Sequence, residues 1–537
     1  MYDYVIVGGG SAGCVLANRL SADARLRVCL LEAGPPDTSP FIRMPAGVLA
    51  MLRSDVYNWK FRTVPQPRMD NRSLFWPRGR TLGGSSSINA MCYIRGHAWD
   101  YDHWAELGNS GWSYREVLPY FKRLENFESG PDEFHATGGP LNVARLRQPN
   151  ALSAVYLSAA RQAGHAYNAD FNGAVQEGMG YYHVAQKGGE RCSNAAAYLR
   201  PAEARANLDV RTGVHATRIL FEGRRAVGVR YYADGIYREV HARREVILSA
   251  GAVCSPQLLL LSGVGPEEEL RRHAIAPVHL LPGVGKNLQD HVDAYVSMRT
   301  RTRLGFSFHP LSFLRSLKAL LLYVAGRRGE LTSNIAEVGG FLKSDPSEPI
   351  PDLQFHFVPL GNTQHAQDLA PMFRGYACTI LACDLRPRSR GEVRLASADP
   401  LAPPAIDPRH FDDERDLDKL VVAIRKAREI FAQPAFAEHN GAELEPGAEV
   451  QTDEQLRAWL RAHAETLYHP VGTCKMGSDA AAVVDAQLRV HGLVGLRVVD
   501  ASIMPTLVGG NTNAPTTMIA EKGADMILED AEVIAAA

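Results

Sequence analysis

Nowhere in the 537 residues do about 18 apolar residues run uninterrupted, so no membrane-spanning helix is expected. An excess of either charge is also lacking, with 58 Lys and Arg against 59 Asp and Glu. Capture of nucleic acid needs a concentrated basic face, and this balance offers none; a small neutral or zwitterionic substrate fits better. The eight cysteines (Cys14, Cys29, Cys92, Cys192, Cys254, Cys378, Cys383 and Cys474) include no C-x-x-C pair and no metal-ligand cluster. Buried free thiols in a reducing cytoplasm are expected, with no bound metal. Met1 to Asp3 lacks the basic region of a secretory signal, which again points to the cytoplasm. Internal repeats and low-complexity linkers are missing too. The length exceeds what one core usually organises, so two closely packed domains are expected.

What is present begins at Tyr4 to Leu20, YVIVGGGSAGCVLANRL: an apolar β-branched run, clustered glycines, then small and apolar residues at helical spacing. This reads as strand, tight turn and helix. Gly8 permits the turn, Gly10 lets backbone approach a pyrophosphate, and Gly13 lets helix and strand pack closely. Ser11 and Ala12 open the helix, whose unpaired N–H groups suit phosphates. A second strand, Val28 to Leu31, ends in Glu32 and Ala33, where an acid binds a ribose hydroxyl. The motif implies a dinucleotide but does not choose between NAD and FAD.

Six further segments decide that choice: GRTLGGSSSINAMCYIRG (Gly79 to Gly96), SAGAVCSPQLLLLSGVG (Ser249 to Gly265), GVGKNLQDH (Gly283 to His291), RPRSRGEVRLASADP (Arg386 to Pro400), YHPVGTCKMG (Tyr468 to Gly477) and RVVDASIMPTLVGGNTNAPTTMIAEK (Arg497 to Lys522). In this order they resemble the glucose-methanol-choline (GMC) oxidoreductases over nearly the whole chain. The opening segment and SLFWPRGRTLGGSSSINAMCYIRGH look closest to bacterial FAD-dependent aliphatic alcohol dehydrogenases, and HAETLYHPVGTCKMG also resembles choline dehydrogenase. The resemblance implies FAD. It places Gly83, Gly84 and Ser85, with Ser86 and Ser87, near the flavin chain and phosphates, and Asn89, Ala90, Met91 and Cys92 beside the isoalloxazine ring. Val214, Asp500, Ala501, Asn511 and Thr512 complete the implied cofactor contacts; without the resemblance Asp500 reads as a strand-end turn residue. Covalently flavinylated relatives can carry histidine where this sequence has Ile88, so FAD is expected to be non-covalent.

The order of these pieces predicts an α/β chain, α+β overall. A Rossmann-like FAD-binding domain, discontinuous in sequence, takes residues 1–155, 190–300 and 465–537. A substrate-binding domain on a mixed or antiparallel sheet flanked by helices takes 156–189 and 301–464. In the second signature, Val246 to Ala250 reads as a strand, Ser255 as a cap, Pro256 as the first helical residue and Gly263 as the helix stop.

Removing a hydroxyl proton while hydride leaves the same carbon needs a base and a donor that orients the oxygen. His469 is the candidate base, with Pro470 restricting its backbone to extended conformations. By resemblance Asn513 is its partner on the alcohol oxygen; it also reads as a cap for the helix running through Met518 and Ile519. The expected reaction is oxidation of a primary alcohol with an apolar chain to the aldehyde, passing electrons to a quinone or other carrier. Choline is the alternative substrate, although Glu337, the acid considered for its cation, fits a salt bridge or exposed strand position better. FAD-containing hydroxynitrile lyases are the alternative of another class. Finally, Leu314, Leu317, Leu321 and Val324 share a helical face within 311–328, beside Arg315, Lys318, Arg327 and Arg328. The stripe favours a buried helix. The other reading is peripheral docking at the inner face of the bacterial cytoplasmic membrane.

Overall fold

In the computed structural model, which describes residues 1–361, 364 and 367–536, the apolar runs Tyr2–Val7 and Val28–Leu31 form adjacent parallel strands. Both are buried almost throughout, as strands covered on two faces must be. Leu208–Arg211 pairs beside Val28–Leu31, Ile236–Leu248 pairs beside Tyr2–Val7, and Leu496–Val498 pairs beyond it, all parallel. The long strand Ile236–Leu248 does double service. Its C-terminal half lies in this parallel layer, while its N-terminal half pairs antiparallel with Arg225–Ala233, which continues to His215–Glu222. One sheet thus gathers strands from both ends and the middle of the chain, giving the expected discontinuous α/β domain.

The second sheet is antiparallel throughout, in the order Asn440–Glu445, Val292–Thr300, Ala377–Asp384, Leu353–Val358, Val338–Leu342 and Gly178–Tyr181. Its period-2 alternation separates two environments. Leu353, Phe355 and Phe357 pack with Leu420 and Ile424 of the helix Glu414–Phe431, whereas His356 and Val358 face a cavity between the sheets. Val292–Thr300, expected in the FAD-binding domain, is instead a central strand of this second sheet. Its apolar run satisfies its backbone groups there, and the signature just before it, ending at His291, is where the chain crosses over.

Three helices border the site, α1 (Ser11–Leu20), α2 (Gly251–Leu261) and α4 (Asn513–Ala536), while α3 (Phe313–Gly326) lies outside it. Helix α1 lies against α4. Helix α2 starts earlier than expected, at Gly251 (φ +83°), and Pro256 lies inside it. Proline cannot donate to the carbonyl four residues back, and Thr473 Oγ1 donates to that Ala252 carbonyl instead, at 2.7 Å. Ser255 is no N-cap residue; its hydroxyl accepts from Ala250 N at 3.1 Å and donates to Asp500 Oδ2 at 2.6 Å. Helix α3 departs most from expectation: its apolar stripe faces solvent.

Candidate active site

A cavity of about 580 Å³ runs between the two sheets, from Glu32 to His469 and His356. At its first end Gly8 takes φ +100°, and a Cβ there would stand 2.6 Å from the Ser249 carbonyl oxygen. A Cβ on Gly10 would make only ordinary contacts, 3.9 Å to the Ser249 carbonyl oxygen and 4.0 Å to Gly84 Cα, while a Cβ on Gly84 would meet Gly10 Cα at 2.7 Å. Two glycine-bearing segments distant in sequence therefore touch at the N-terminus of α1, where N–H groups face the cavity. Gly8, Gly10, Ser11 and Ala12 line it, as do Glu32, Ala33 and Val214. Gly13 does not; a Cβ there would lie 1.9 Å from the Gly8 carbonyl oxygen, so its contribution is packing. Gly83 also stands off the cavity, holding the turn at φ +83°.

Glu32 is buried and accepts from Gly9 N at 2.9 Å and Gly34 N at 2.7 Å. Burial raises its carboxyl to about 7 against these bonds, so hydroxyl donors arriving there favour the ionised form. Gly84, Ser85, Asn89, Ala90, Met91 and Cys92 line the middle of the cavity. Ser86 and Ser87 do not line it; their hydroxyls donate to the Gly83 and Leu82 carbonyls and tie the loop to itself. Met91 adopts φ +58°, stabilised by donation of its N–H to Asn89 Oδ1 at 3.0 Å. Asp500, Ala501, Asn511 and Thr512 line the same space. Asp500 also caps a short turn through Ser502 N at 2.8 Å and accepts from Gly251 N at 2.8 Å.

At the other end His469 is held by three residues from two segments. Its N–H donates to Asp290 Oδ1 at 2.7 Å, its Nδ1 lies 2.9 Å from His291 Nδ1, and its Nε2 lies 3.3 Å from Asn511 Nδ2. Burial pushes its pKa well below the usual histidine range, helped by the neighbouring His291 and Arg78. Burial likewise lowers His291 to about 3. Both rings are neutral near pH 7, so each carries one proton. The Asn511 amide donates to His469 Nε2, which places the His469 proton on Nδ1, donating to His291 Nδ1. Nε2 is therefore the unprotonated nitrogen, and its lone pair, which accepts from the Asn511 amide at 3.3 Å, takes a proton from the cavity only when that hydrogen bond gives way. Asn511 Oδ1 accepts from Gln354 Nε2 at 3.1 Å, fixing which way the amide points.

The partner expected for His469 was Asn513, whereas the side chain that stands against the His469 ring here is Asn511. Asn513 lines the cavity, but its Oδ1 accepts from Ser11 Oγ at 2.8 Å and its Nδ2 reaches Asn194 Oδ1 at 3.5 Å. Because α4 begins at Asn513, that side chain turns toward α1, and the amide meeting His469 belongs to Asn511, still in the preceding loop. Asp290 and His291 had been read only as part of a signature. Glu337 is neither exposed nor salt-bridged: it is buried, accepting from Asn150 N, Ser153 Oγ and Ser333 Oγ, each at 2.6 Å.

Comparison with known proteins identifies the family. Signatures described as GMC oxidoreductase match residues 2–293 and 387–520. The chain belongs to the GMC oxidoreductase family. It is 51% identical to "Alcohol dehydrogenase [acceptor]" of Pseudomonas putida, over 99% of this chain and 97% of that one. It is 46% identical to "Choline dehydrogenase, mitochondrial" of Mus musculus, over 99% and 91%. Among solved GMC-like structures, pyridoxine 4-oxidase from Mesorbium loti superposes with TM-score 0.87 at 32% identity, covering 98% of this chain and 99% of that one. Formate oxidase superposes with TM-score 0.92 at 27% identity, covering 98% of each.

GMC oxidoreductases are flavoproteins that use FAD, and this cavity fits it. The glycine contacts and α1 N-terminus suit a pyrophosphate, the buried Glu32 carboxylate suits ribose hydroxyls, and the volume lies in the range of small-molecule sites.

Proposed function

We propose that this enzyme oxidises a primary alcohol with an apolar chain to its aldehyde, using non-covalent FAD and passing the electrons to a quinone or other carrier. FAD supplies the hydride acceptor. The observation that carries the reading is the pairing of the His469 Nε2 lone pair with the Asn511 amide at an apolar end of the cavity. An alcohol oxygen that displaces this direct hydrogen bond donates its proton to Nε2 and accepts from Nδ2, as alkoxide formation requires. Val48, Leu49, Leu52, Leu360 and Leu467 wall that end. No carboxylate stands among them; among the described residues the cavity's two acids, Glu32 and Asp500, belong to the implied cofactor contacts. A quaternary ammonium would find no counter-charge there, and Glu337 is already saturated, which favours aliphatic alcohols over choline.

Two side chains of the segment that carries the implied flavin contacts support the non-covalent reading. Ile88 cannot form a flavin bond, and burial pushes the Cys92 thiol up to about 12, leaving it protonated and unreactive. An anaerobic panel of alcohols, read by bleaching of the yellow flavin, tests the activity. Bleaching should quicken with aliphatic chain length and be slow with choline. A fast response to choline alone would replace the substrate, and no bleaching by any alcohol would favour lyase chemistry.

A further inference from the structure

Amphipathic helices of globular proteins turn their apolar stripe inward. Helix α3 does the reverse. Ala319 and Tyr323 are buried, with Arg315 half-buried on the same side. The opposite face carries Leu314 (78% exposed), Leu317 (43%), Leu321 (61%) and Val324 (66%), flanked by Phe313 (67%). Close to the start of the helix, exposed Phe308 packs on exposed Phe373, ring centroids 5.5 Å apart. So many large apolar side chains on one side of one element exceed the scattered exposure of ordinary surfaces.

Charge identifies what covers them. From Arg301 to Gly329 the chain carries six Lys and Arg and no Asp or Glu, although the whole protein is balanced. Arg315 pairs with Glu330 and Arg327 with Glu190, while Arg301, Arg303, Lys318 and Arg328 stand exposed. Among the described residues no helix is long and apolar enough to cross a bilayer. An apolar stripe with basic flanks on a short helix is the pattern of one that lies in the interface of anionic lipid.

The position of α3 gives this docking a purpose. Before the helix, Phe306 packs against the same apolar cluster as the cavity-lining Leu49 and Leu52, and after it the chain reaches the cavity wall at Asn334 and Ile335. The geometry points to α3, with Phe308 and Phe373, as the surface that seats the enzyme on an anionic bilayer, bringing the apolar end of the cavity to where lipophilic alcohols dissolve. This deepens the functional reading above and rests on it for the substrate.

Flotation of the flavin-loaded enzyme with phosphatidylglycerol–phosphatidylcholine vesicles tests the surface, alongside Leu314→Ser/Leu321→Ser. Both substitutions lie on the exposed face, away from the cavity. The native enzyme should float at low salt, and the double variant should bind about tenfold more weakly, since each buried apolar group adds to interfacial affinity. Turnover of a short water-soluble alcohol with a soluble dye acceptor should be equal in both, which separates failure of docking from failure of the proposed activity. Absence of flotation by the native enzyme would overturn the proposal. So would equal flotation of the double variant, or a native dimer that these substitutions dissociate, because a second copy would then cover the face.

Discussion

Asn511 and Asn513 stand two positions apart and face different partners because α4 starts at the second of them. Asn511 meets His469 Nε2, while Asn513 ties α4 to Ser11 of α1 beside the glycine cradle. Asn511→Ala should therefore slow alcohol-dependent flavin bleaching by ~10²-fold, the lower range for a lost proton-transfer or oxyanion group, with the protein still yellow. Asn513→Ala should chiefly weaken FAD retention, measured by flavin released on gel filtration. The reverse pattern would return the substrate-facing role to Asn513. His291 acts through His469 by accepting its Nδ1 proton and so keeping Nε2 unprotonated. Substituting His291 with Phe should lower kcat by ~10-fold or more with little change in KM, whereas His291→Asn, which retains an acceptor, should recover part of the loss. With native His469 held neutral by burial, bleaching should not slow as pH falls through the usual histidine range near ~6.5. A rate that halves there would show a base exposed to water. The sequence made His469 legible through its motif, but not its neighbours: His291 lies 178 positions away, and nothing local marks which of 18 histidines share a cavity.

At the scale of elements, what was legible had a local cause. The strand–glycine–helix opening and the strand Val246 to Leu248 follow from β-branched runs and glycine positions that act within a few residues. The start of α2 was missed because Pro256 is tolerated inside it only through Thr473, a residue from another signature. The apolar stripe of α3 was legible, but its direction was not, since periodicity gives a face without saying what lies against it. A buried ionic cluster shows the same limit. Arg95 and Glu125 pair at 2.7 Å, and His135 bridges Glu125 at 3.1 Å and Asp170 at 2.8 Å, joining the segment after Cys92 to the loop before Gly178–Tyr181. Burial pulls the His135 pKa down, but its bonds to Asp170 and Glu125 outweigh that and raise it to about 9. The folded-state value exceeds the unfolded one near ~6.5, so this stabilisation is complete below ~6.5 and is lost as pH rises through 9. Urea unfolding at pH values on either side of that window should show a loss on the order of 2 kcal/mol. His135→Gln should flatten the difference, and an unchanged slope in that variant would assign it to other groups.

At the scale of the whole molecule, the two sheets share one cavity: Glu32 and Ala33 belong to the first sheet's side, His356 and Leu381 to the second. The order of signatures made the discontinuous first domain legible, because each signature sits at a strand end or turn around the cavity. The seam was legible only coarsely, since Val292–Thr300 reads as an apolar strand that either sheet could accept, and its pairing partners are more than 70 residues away. A ligand filling the shared space links the stabilities of both domains, because anything that binds the folded state and not the unfolded one adds RT ln(1 + [L]/Kd). Acid precipitation should release yellow flavin into the supernatant, as expected with Ile88 and a protonated Cys92 at the site. Gently deflavinated enzyme should then unfold at a lower temperature than holoenzyme. Adding FAD to ~100 times its Kd should restore about 2.7 kcal/mol, with tryptophan fluorescence and circular dichroism moving together. If only part of the circular dichroism change shifted with FAD, one domain would be unfolding independently and the shared cavity would not couple them. Colour retained in the washed acid pellet would instead show a covalent bond, and the non-covalent assignment would fall.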